Sequence, residues 1–400
     1  MVVRCMKNVL LVSPRNWYLE SDRVFPPLGI LYLKSTLDKI GFDVDLNINL
    51  NPLNQSEYDD YDIIGFSTTT PDNLHVLEQA RIIKTFSPEK VLVVGGPHAT
   101  FYNEDLPIFD YIVKGYGETS FQKIGGSKII FGDNDISGFP IPYRSKEFLG
   151  NYNYLLDGIP ATTMITSRGC PFNCRFCEHA NSQVYYYPIA RIEEELKQVT
   201  DLGYKSIMFF DDLFAINKKR VKALCDVISK FNIIFRCFGH VLCMNDKIAS
   251  MLAKAGCVET GVGFESGSQH ILNTVKYPTP KITKAYEYIK TCHNNGIRVK
   301  GFFMLGLPGE SSETIKATEE FIAKSGIDDF DLTIYYPYIG TAIRDNIKDY
   351  DINILDGIGY YKGVGGKTEC CVSTSNLDRY ELLEERNRIF KTYKKFIKEN

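Results

Sequence analysis

The chain has 400 residues, 44% hydrophobic and 24% charged, the balance of a folded protein of two to three domains rather than a disordered, collagen-like or coiled-coil chain. A net charge of −3, from 46 basic and 49 acidic side chains, provides no electrostatic footprint for nucleic acid, and no apolar run nears the ~20 residues of a membrane span. Eleven cysteines at irregular spacing argue against a disulfide framework and for free or metal-bound thiols. The apolar run Val9–Val12 reads as a strand and not an export signal, so a reducing, cytoplasmic compartment is expected.

The first ~125 residues alternate strand and helix patterns. Strands are predicted at Asn8–Ser13, Phe42–Leu46, Asp62–Ser67, Lys90–Gly95 and Tyr111–Val113, with helices at Leu28–Ile40 and Asn73–Phe86. Five such strands predict a flavodoxin-like doubly wound α/β domain over residues 1–140, with its ligand site outside the carboxyl ends of the strands. Residues 126–160 break the rhythm, and Gly138-Phe139-Pro140-Ile141-Pro142 reads as an extended linker. The alternation then resumes. Strands are predicted at 162–166, 205–210, 234–238, 259–264, 299–305 and 331–336, with helices at 190–201, 217–231, 246–255, 281–294 and 312–325. Six βα units are two short of a full barrel, so residues 150–345 read as a partial (β/α)6 barrel. Residues 346–400 form a partly helical C-terminal region, with a Gly363–Gly366 loop, Cys370-Cys371 and an amphipathic helix at 377–398.

The sharpest signal is Cys170-Pro171-Phe172-Asn173-Cys174-Arg175-Phe176-Cys177, a C-x₃-C-x₂-C spacing directly after the first barrel strand. Three thiolates on one loop can hold three irons of a [4Fe–4S] cluster and leave the fourth open to a ligand. The competing reading is a zinc site, which wants a fourth Cys or His at finger-like spacing; His179, two residues on, is too close.

Cys170, Cys174 and Cys177, with Phe176 before the last, resemble the signature of the radical S-adenosylmethionine (SAM) enzymes. The resemblance implies that SAM binds the open iron and is cleaved by one-electron reduction to a 5′-deoxyadenosyl radical. Further stretches resemble the family in order. Phe209 to Phe214, with Asp211 and Asp212, ends the second strand, where relatives contact the SAM amino group. Gly261 to Ser268, with Glu265 and Ser266, resembles the fourth-strand motif that meets ribose and carboxylate. Leu305 to Glu310, with Gly306 and Pro308, resembles the motif beside adenine. Tyr335 to Thr341, with Tyr336, resembles the end of the sixth strand, with Ile339 where relatives usually have proline.

The resemblance extends forward to the cobalamin-binding (B12-binding) domain of cobalamin-dependent radical SAM enzymes. It rests on Pro26-Pro27-Leu28-Gly29, Gly65 to Thr70 with Ser67, Thr68 and Thr69, Gly95-Gly96-Pro97-His98, and Gly115 to Glu118 with Gly117. Small and hydroxylated residues at strand ends would let a corrin approach the backbone. The Asp-x-His-x-x-Gly motif that ligates cobalt from below in many such domains is missing; Pro14-Arg15-Asn16-Trp17 stands there instead. His98 is the substitute candidate, and a polar turn residue is the plainer reading.

The implied function is methyl transfer to an unactivated carbon or phosphinate phosphorus, with [4Fe–4S], SAM and cobalamin as cofactors. Ring closure or rearrangement on the same cofactors, an empty cobalamin domain and a cobalamin-binding non-enzyme are the alternatives. The implied partners are a small-molecule or peptide substrate and an external one-electron reductant such as flavodoxin or ferredoxin. Cys225, Cys237, Cys243, Cys257 and Cys292 read as small buried hydrophobes, and Cys5 has no evident partner. Cys370 and Cys371, with Tyr336, are the candidates for a catalytic role.

Overall fold

The computed structural model describes residues 8–14, 21, 23–48, 53–101, 106–120, 123–133, 135–179, 182–355 and 368–399. Cys5, the 15–17 segment and the Gly363–Gly366 loop lie outside them. The chain divides into two compact units, Met1–Asn153 and Tyr154–Asn400.

Unit one runs β1 (Asn8–Val12), α1 (Leu28–Lys39), β2 (Asp43–Asn47), β3 (Ile63–Ser67), α2 (Asn73–Phe86), β4 (Val91–Gly95), α3 (Pro97–Phe101), β5 (Tyr111–Lys114), β6 (Ile129–Phe131) and α4 (Lys146–Leu149). Its sheet is wholly parallel in the order β2-β1-β3-β4-β5-β6, the doubly wound arrangement expected. The strands are short apolar runs because both faces are covered. One face buries Leu10, Ile64 and Val94 with Val76 and Ile83 of α2. The other buries Val9, Leu11 and Val93 with Ile30 and Leu37 of α1. Strand β6 was not expected. It is three residues long, too short for a period to show, and its parallel pairing with residues 112–114 of β5 makes it a strand.

Unit two runs β7 (Leu155–Leu156), β8 (Ile159–Met164), β9 (Ser167–Arg168), β10 (Tyr185–Tyr186), α5 (Ile189–Asp201), β11 (Ser206–Phe209), α6 (Lys218–Ile228), β12 (Ile234–Gly239), α7 (Asp246–Lys254), β13 (Cys257–Glu265), α8 (Gln269–Val275), α9 (Ile282–Asn294), β14 (Arg298–Leu305), α10 (Ser312–Lys324), β15 (Asp329–Ile334), α11 (Ala342–Asp345), β16 (Asn353–Ile354), β17 (Val372–Ser373) and α12 (Arg379–Glu399). Six parallel strands, β8 and β11 to β15, form the partial barrel in sequence order. The short β7 extends one edge as an antiparallel hairpin with β8. Helix α12 covers the other edge: Arg386 Nε donates to the Leu332 carbonyl at 2.9 Å, and Lys394 binds the Asp329 carboxylate and the Phe330 carbonyl. An edge strand left open would offer unpaired backbone groups to other chains. Helix α8, between β13 and α9, was not expected either; its seven residues are too few for the 3.6-residue period to show.

At the end of β4, Gly96 has φ +99°, and a Cβ there would lie 2.7 Å from the Thr68 carbonyl oxygen. Gly96→Ala combines left-handed backbone with a collision against rigid main chain. It is expected to destabilise unit one by about 1–3 kcal/mol, read as a lowered thermal midpoint and faster limited proteolysis.

Candidate active site

The cysteine loop is tied at both ends before any ligand is considered. Asp211, just past β11, is fully buried and accepts three hydrogen bonds: from the Thr166 amide at 2.7 Å, the Thr166 hydroxyl at 2.6 Å and the Ser167 hydroxyl at 2.6 Å. Burial pushes its carboxyl up to about 6, opposed by those donors. Arg220, on the first turn of α6, donates to the carbonyls of Thr166 at 3.2 Å and Tyr187 at 2.7 Å. Strands β9 and β10 then pair antiparallel, Arg168 with Tyr185 and Ser167 with Tyr186, and close the base of the loop. Gly169 follows at φ +97°, where a Cβ would lie 2.2 Å from the Gln183 carbonyl oxygen. Its amide donates to Asp212 Oδ2 at 2.7 Å, and Ser182 hydrogen-bonds the Cys170 amide and carbonyl. Aspartates 211 and 212 therefore grip Thr166, Ser167 and Gly169 at the loop entry.

The far side of the loop runs against the end of α8. The Asn173 amide donates to the Tyr277 carbonyl and the Arg175 amide to the Val275 carbonyl, both at 2.8 Å, so Cys174 lies opposite Lys276. Burial pushes Cys170 up, Cys174 to about 11 and Cys177 to about 12. The thiols raise one another as well, which puts them within electrostatic reach. A nearby backbone amide acts to lower each thiol against that burial: Phe172 on Cys170, Tyr277 on Cys174 and His179 on Cys177. Amide donors to cysteine sulfur stabilise thiolate ligands and tune an iron–sulfur cluster. Three thiols that resist ionisation by themselves, each with a backbone amide nearby, fit a cluster that supplies the compensating charge. Among the described residues no three His, Cys, Asp or Glu side chains converge on a single-ion site.

The residues expected near SAM divide into two groups. Asp212, Glu265 and Phe176 sit on or beside the cysteine loop. Asp212 keeps Oδ1, 3.6 Å from His179 Nδ1, after Oδ2 has taken the Gly169 amide. Glu265, at φ +67° on the end of β13, pairs with Lys276 at 3.2 Å. The others are engaged in the scaffold. Asp211 has its oxygens filled by the Thr166 and Ser167 donors. The Ser266 hydroxyl meets Thr318 of α10 at 3.0 Å. Gly306 and Pro308 are buried, and the Gly306 amide is 3.3 Å from Glu310 Oε2. A Cβ at Gly306 would lie 3.0 Å from Val372, so the C-terminal segment packs on this turn. Cys370 and Cys371 lie on that segment, both buried, with the Cys370 thiol 3.2 Å from the Val372 carbonyl. Tyr336 is half-buried, its ring edge-on to Tyr338 at 4.7 Å.

In unit one, Ser67, Gly95 and Gly96 end β3 and β4; Pro27, Leu28 and Gly29 open α1; Gly117 and Glu118 follow β5. All lie at the carboxyl edge of one parallel sheet. A Cβ at Gly29 or Gly115 would meet nothing within 4 Å, so both positions stand in open space. The Thr68 and Thr69 hydroxyls donate to Asp72 at 2.8 and 2.6 Å, which leaves their oxygens as acceptors. His98 is buried, with Nδ1 3.2 Å from the Thr70 hydroxyl.

Two residues of unit two, Lys276 and His240, escaped sequence reasoning, and a third, Glu310, was read only as the last residue of the motif expected beside adenine. Lys276 is a buried lysine whose Nζ donates to the Gly263 carbonyl at 2.6 Å. His240, after β12, stacks on Phe172 of the cysteine loop at 3.8 Å and 14°. Its pKa is lowered to about 3 by burial, helped by Lys276, so the ring is neutral; Nδ1 accepts the Leu242 amide and the proton sits on Nε2. Glu310 is buried at the turn after β14, where Thr314 donates to it. Of the five cysteines expected in the core, Cys225, Cys237, Cys257 and Cys292 are buried there. Cys243 is half-exposed instead, in the turn after His240 and within electrostatic reach of Cys170.

Two outcomes follow from these carboxylates. Asp211→Asn turns one acceptor into a donor facing the Thr166 and Ser167 donors; a loss of about 1–3 kcal/mol and reduced iron loading are expected. Asp212→Asn retains an acceptor for Gly169 and should leave thermal stability within about 1 kcal/mol of wild type. The second outcome concerns pH. Burial pushes Glu310 up to about 7, against donors from Thr314, Gly306 and Leu307. The folded state thus holds this proton more tightly than the unfolded chain, whose carboxyl titrates near ~4.3. The stabilisation is full below that value and is lost as pH rises through about 7. Glu310→Gln should flatten the fall in thermal midpoint between roughly pH 5 and 8.

Comparison with known proteins finds a family match in each of the two units. Residues 19–125 match the B12 binding domain model and residues 164–322 the Radical SAM superfamily model. The chain is 31% identical over 385 residues to an uncharacterized methyltransferase of Pyrococcus horikoshii, covering 85% of this chain and 83% of that protein. It is 22% identical over 443 aligned positions to an anaerobic magnesium-protoporphyrin IX monomethyl ester cyclase of Rubrivivax gelatinosus, covering 98% and 77%. The fold matches that of a radical SAM methyltransferase from Kitasatospora setae, solved with cobalamin and a [4Fe–4S] cluster, with a TM-score of 0.67 at 16% identity over 86% of this chain and 75% of that one. With both family models matched in this order and a relative at 31% identity spanning most of both chains, the protein belongs to the cobalamin-dependent radical SAM enzymes.

Proposed function

We propose that this chain is a methyltransferase of that family, acting on an unactivated carbon or a phosphinate phosphorus of a small-molecule or peptide substrate. The observation that carries the reading is the three-thiol loop, braced at Asp211, Asp212 and residues 275–277, in a chain whose 31% identical relative is named a methyltransferase. When bound, the cluster, SAM and cobalamin would supply one-electron cleavage of SAM and a carrier for the methyl group.

The protein's own part is positioning. Cys170, Cys174 and Cys177 would hold three irons. Asp211, Arg220 and Gly169 fix the loop on which these cysteines stand. Asp212 Oδ1, and not the filled Asp211, is the acceptor available to the SAM ammonium; Glu265 is a second carboxylate on the same side. The neutral His240 presents an Nε2–H donor and adds no further charge beside Lys276. In unit one, the carboxyl edge around Gly29, Gly95 and Gly115 would receive the corrin. His98, held by Thr70, is not assigned to cobalt. Cys370, with its thiol turned to its own segment, is assigned no step. The electron would come from an external one-electron carrier such as flavodoxin or ferredoxin.

The test is anaerobic reconstitution with iron, sulfide and hydroxocobalamin, then incubation with SAM, reductant and candidate substrates. Methyl transfer is expected to yield S-adenosylhomocysteine, 5′-deoxyadenosine and a product heavier by one methylene. Formation of 5′-deoxyadenosine without S-adenosylhomocysteine would favour the ring-closing chemistry named for the Rubrivivax gelatinosus relative. Cys174→Ala is expected to abolish 5′-deoxyadenosine formation, and turnover in that variant would overturn the cluster assignment.

A further inference from the structure

We propose that Lys276 fixes a positive charge against the cysteine sulfurs and thereby sets the reduction potential of the cluster, a reading that rests on the cluster assignment above. Lysine is among the residues least often buried, and here it is 3% exposed. Its backbone position is held by the two hydrogen bonds that flank Cys174, Asn173 to Tyr277 and Arg175 to Val275. Its side chain is held by the Gly263 carbonyl at 2.6 Å and Glu265 at 3.2 Å. An ammonium has three donors. Two are filled, and the third has no partner among the described residues.

The hydrogen bonds of Asn173 to Tyr277 and of Arg175 to Val275 make Cys174 and Lys276 a directly opposed pair on antiparallel segments, so the two side chains leave on the same face. Two carboxylates stand beside the loop, Glu265 paired with Lys276 at 3.2 Å and Asp212 on the Gly169 amide at 2.7 Å. Lys276 is the buried cation set against them opposite Cys174. Reduction adds one electron to the cluster, and a fixed cation in a medium of low dielectric favours the reduced state. Glu265, paired with it, attenuates that effect. Lys276 acts through the cluster and is a positioning residue; no contact with substrate is required of it.

The experiment measures the midpoint potential of the reconstituted full chain, free of SAM, by electron paramagnetic resonance during reductive poising with titanium(III) citrate. Iron and sulfide counts accompany each sample. Lys276→Met is expected to disfavour reduction at least tenfold, about 59 mV for a one-electron couple. Lys276→Arg should remain close to wild type, and Glu265→Gln should shift the potential in the positive direction. A fully loaded Lys276→Met protein with an unchanged potential overturns the proposal. So does a shift that appears only after SAM is added, because the lysine would then act on SAM. If Lys276→Met holds no cluster, Glu265→Gln decides: a positive shift supports the proposal, and an unchanged or negative one overturns it. A wild-type chain that forms no cluster refutes the functional reading instead.

Discussion

The hydrogen bonds converging on the Asp211 carboxylate are the constraint on which the rest of the site depends. A fully buried carboxylate is costly unless its oxygens are filled. Here the amide and hydroxyl of Thr166 and the hydroxyl of Ser167 fill them. The Thr166 carbonyl is held in turn by Arg220 and the Tyr187 amide. Together these bonds fix where β8 stops and in which direction the chain leaves it. The cysteine loop inherits that direction, and Gly169 makes the turn that no side chain would allow.

A second, independent brace holds the opposite side. Residues 173–175 run against 275–277, so the segment that leaves the short helix α8 brings the buried Lys276 opposite Cys174. Strand β13 ends in the left-handed Glu265 with a register shift between Gly263 and Glu265. That irregularity places a carbonyl and a carboxylate where Lys276 can reach both. Strain of this kind persists only where neighbours over-determine it. The site is thus assembled from β8, β11, β13 and α8, elements distant in sequence and adjacent only in the barrel.

The C-terminal segment has a structural role of its own. Strand β17 packs on the Gly306 turn, and the Thr374 hydroxyl donates to the Glu310 carbonyl at 2.9 Å. Helix α12 then covers the β15 edge that an incomplete barrel leaves open. The two adjacent cysteines, conspicuous as sequence, are core residues of this packing.

Much of the molecule was legible beforehand because its signals are local. Apolar runs and helical periods along 8–114 and 159–334 follow from backbone geometry and burial alone. The C-x₃-C-x₂-C spacing encodes its chemistry within eight residues. Elements too short to carry a period, β6, β7 and α8, appear only through their partners. The division of labour between Asp211 and Asp212 was likewise decided by folding. Adjacent side chains at a strand end diverge, and the sequence does not say which finds Thr166 and which finds Gly169. The partners of the Thr68, Thr69 and Ser266 hydroxyls within the fold, Asp72 and Thr318, were also chosen only in three dimensions. Lys276 had no signal at all. A lysine in a sequence reads as surface, and only tertiary structure, by closing Gly263, Glu265 and the cysteine loop around it, turned it into a buried charge.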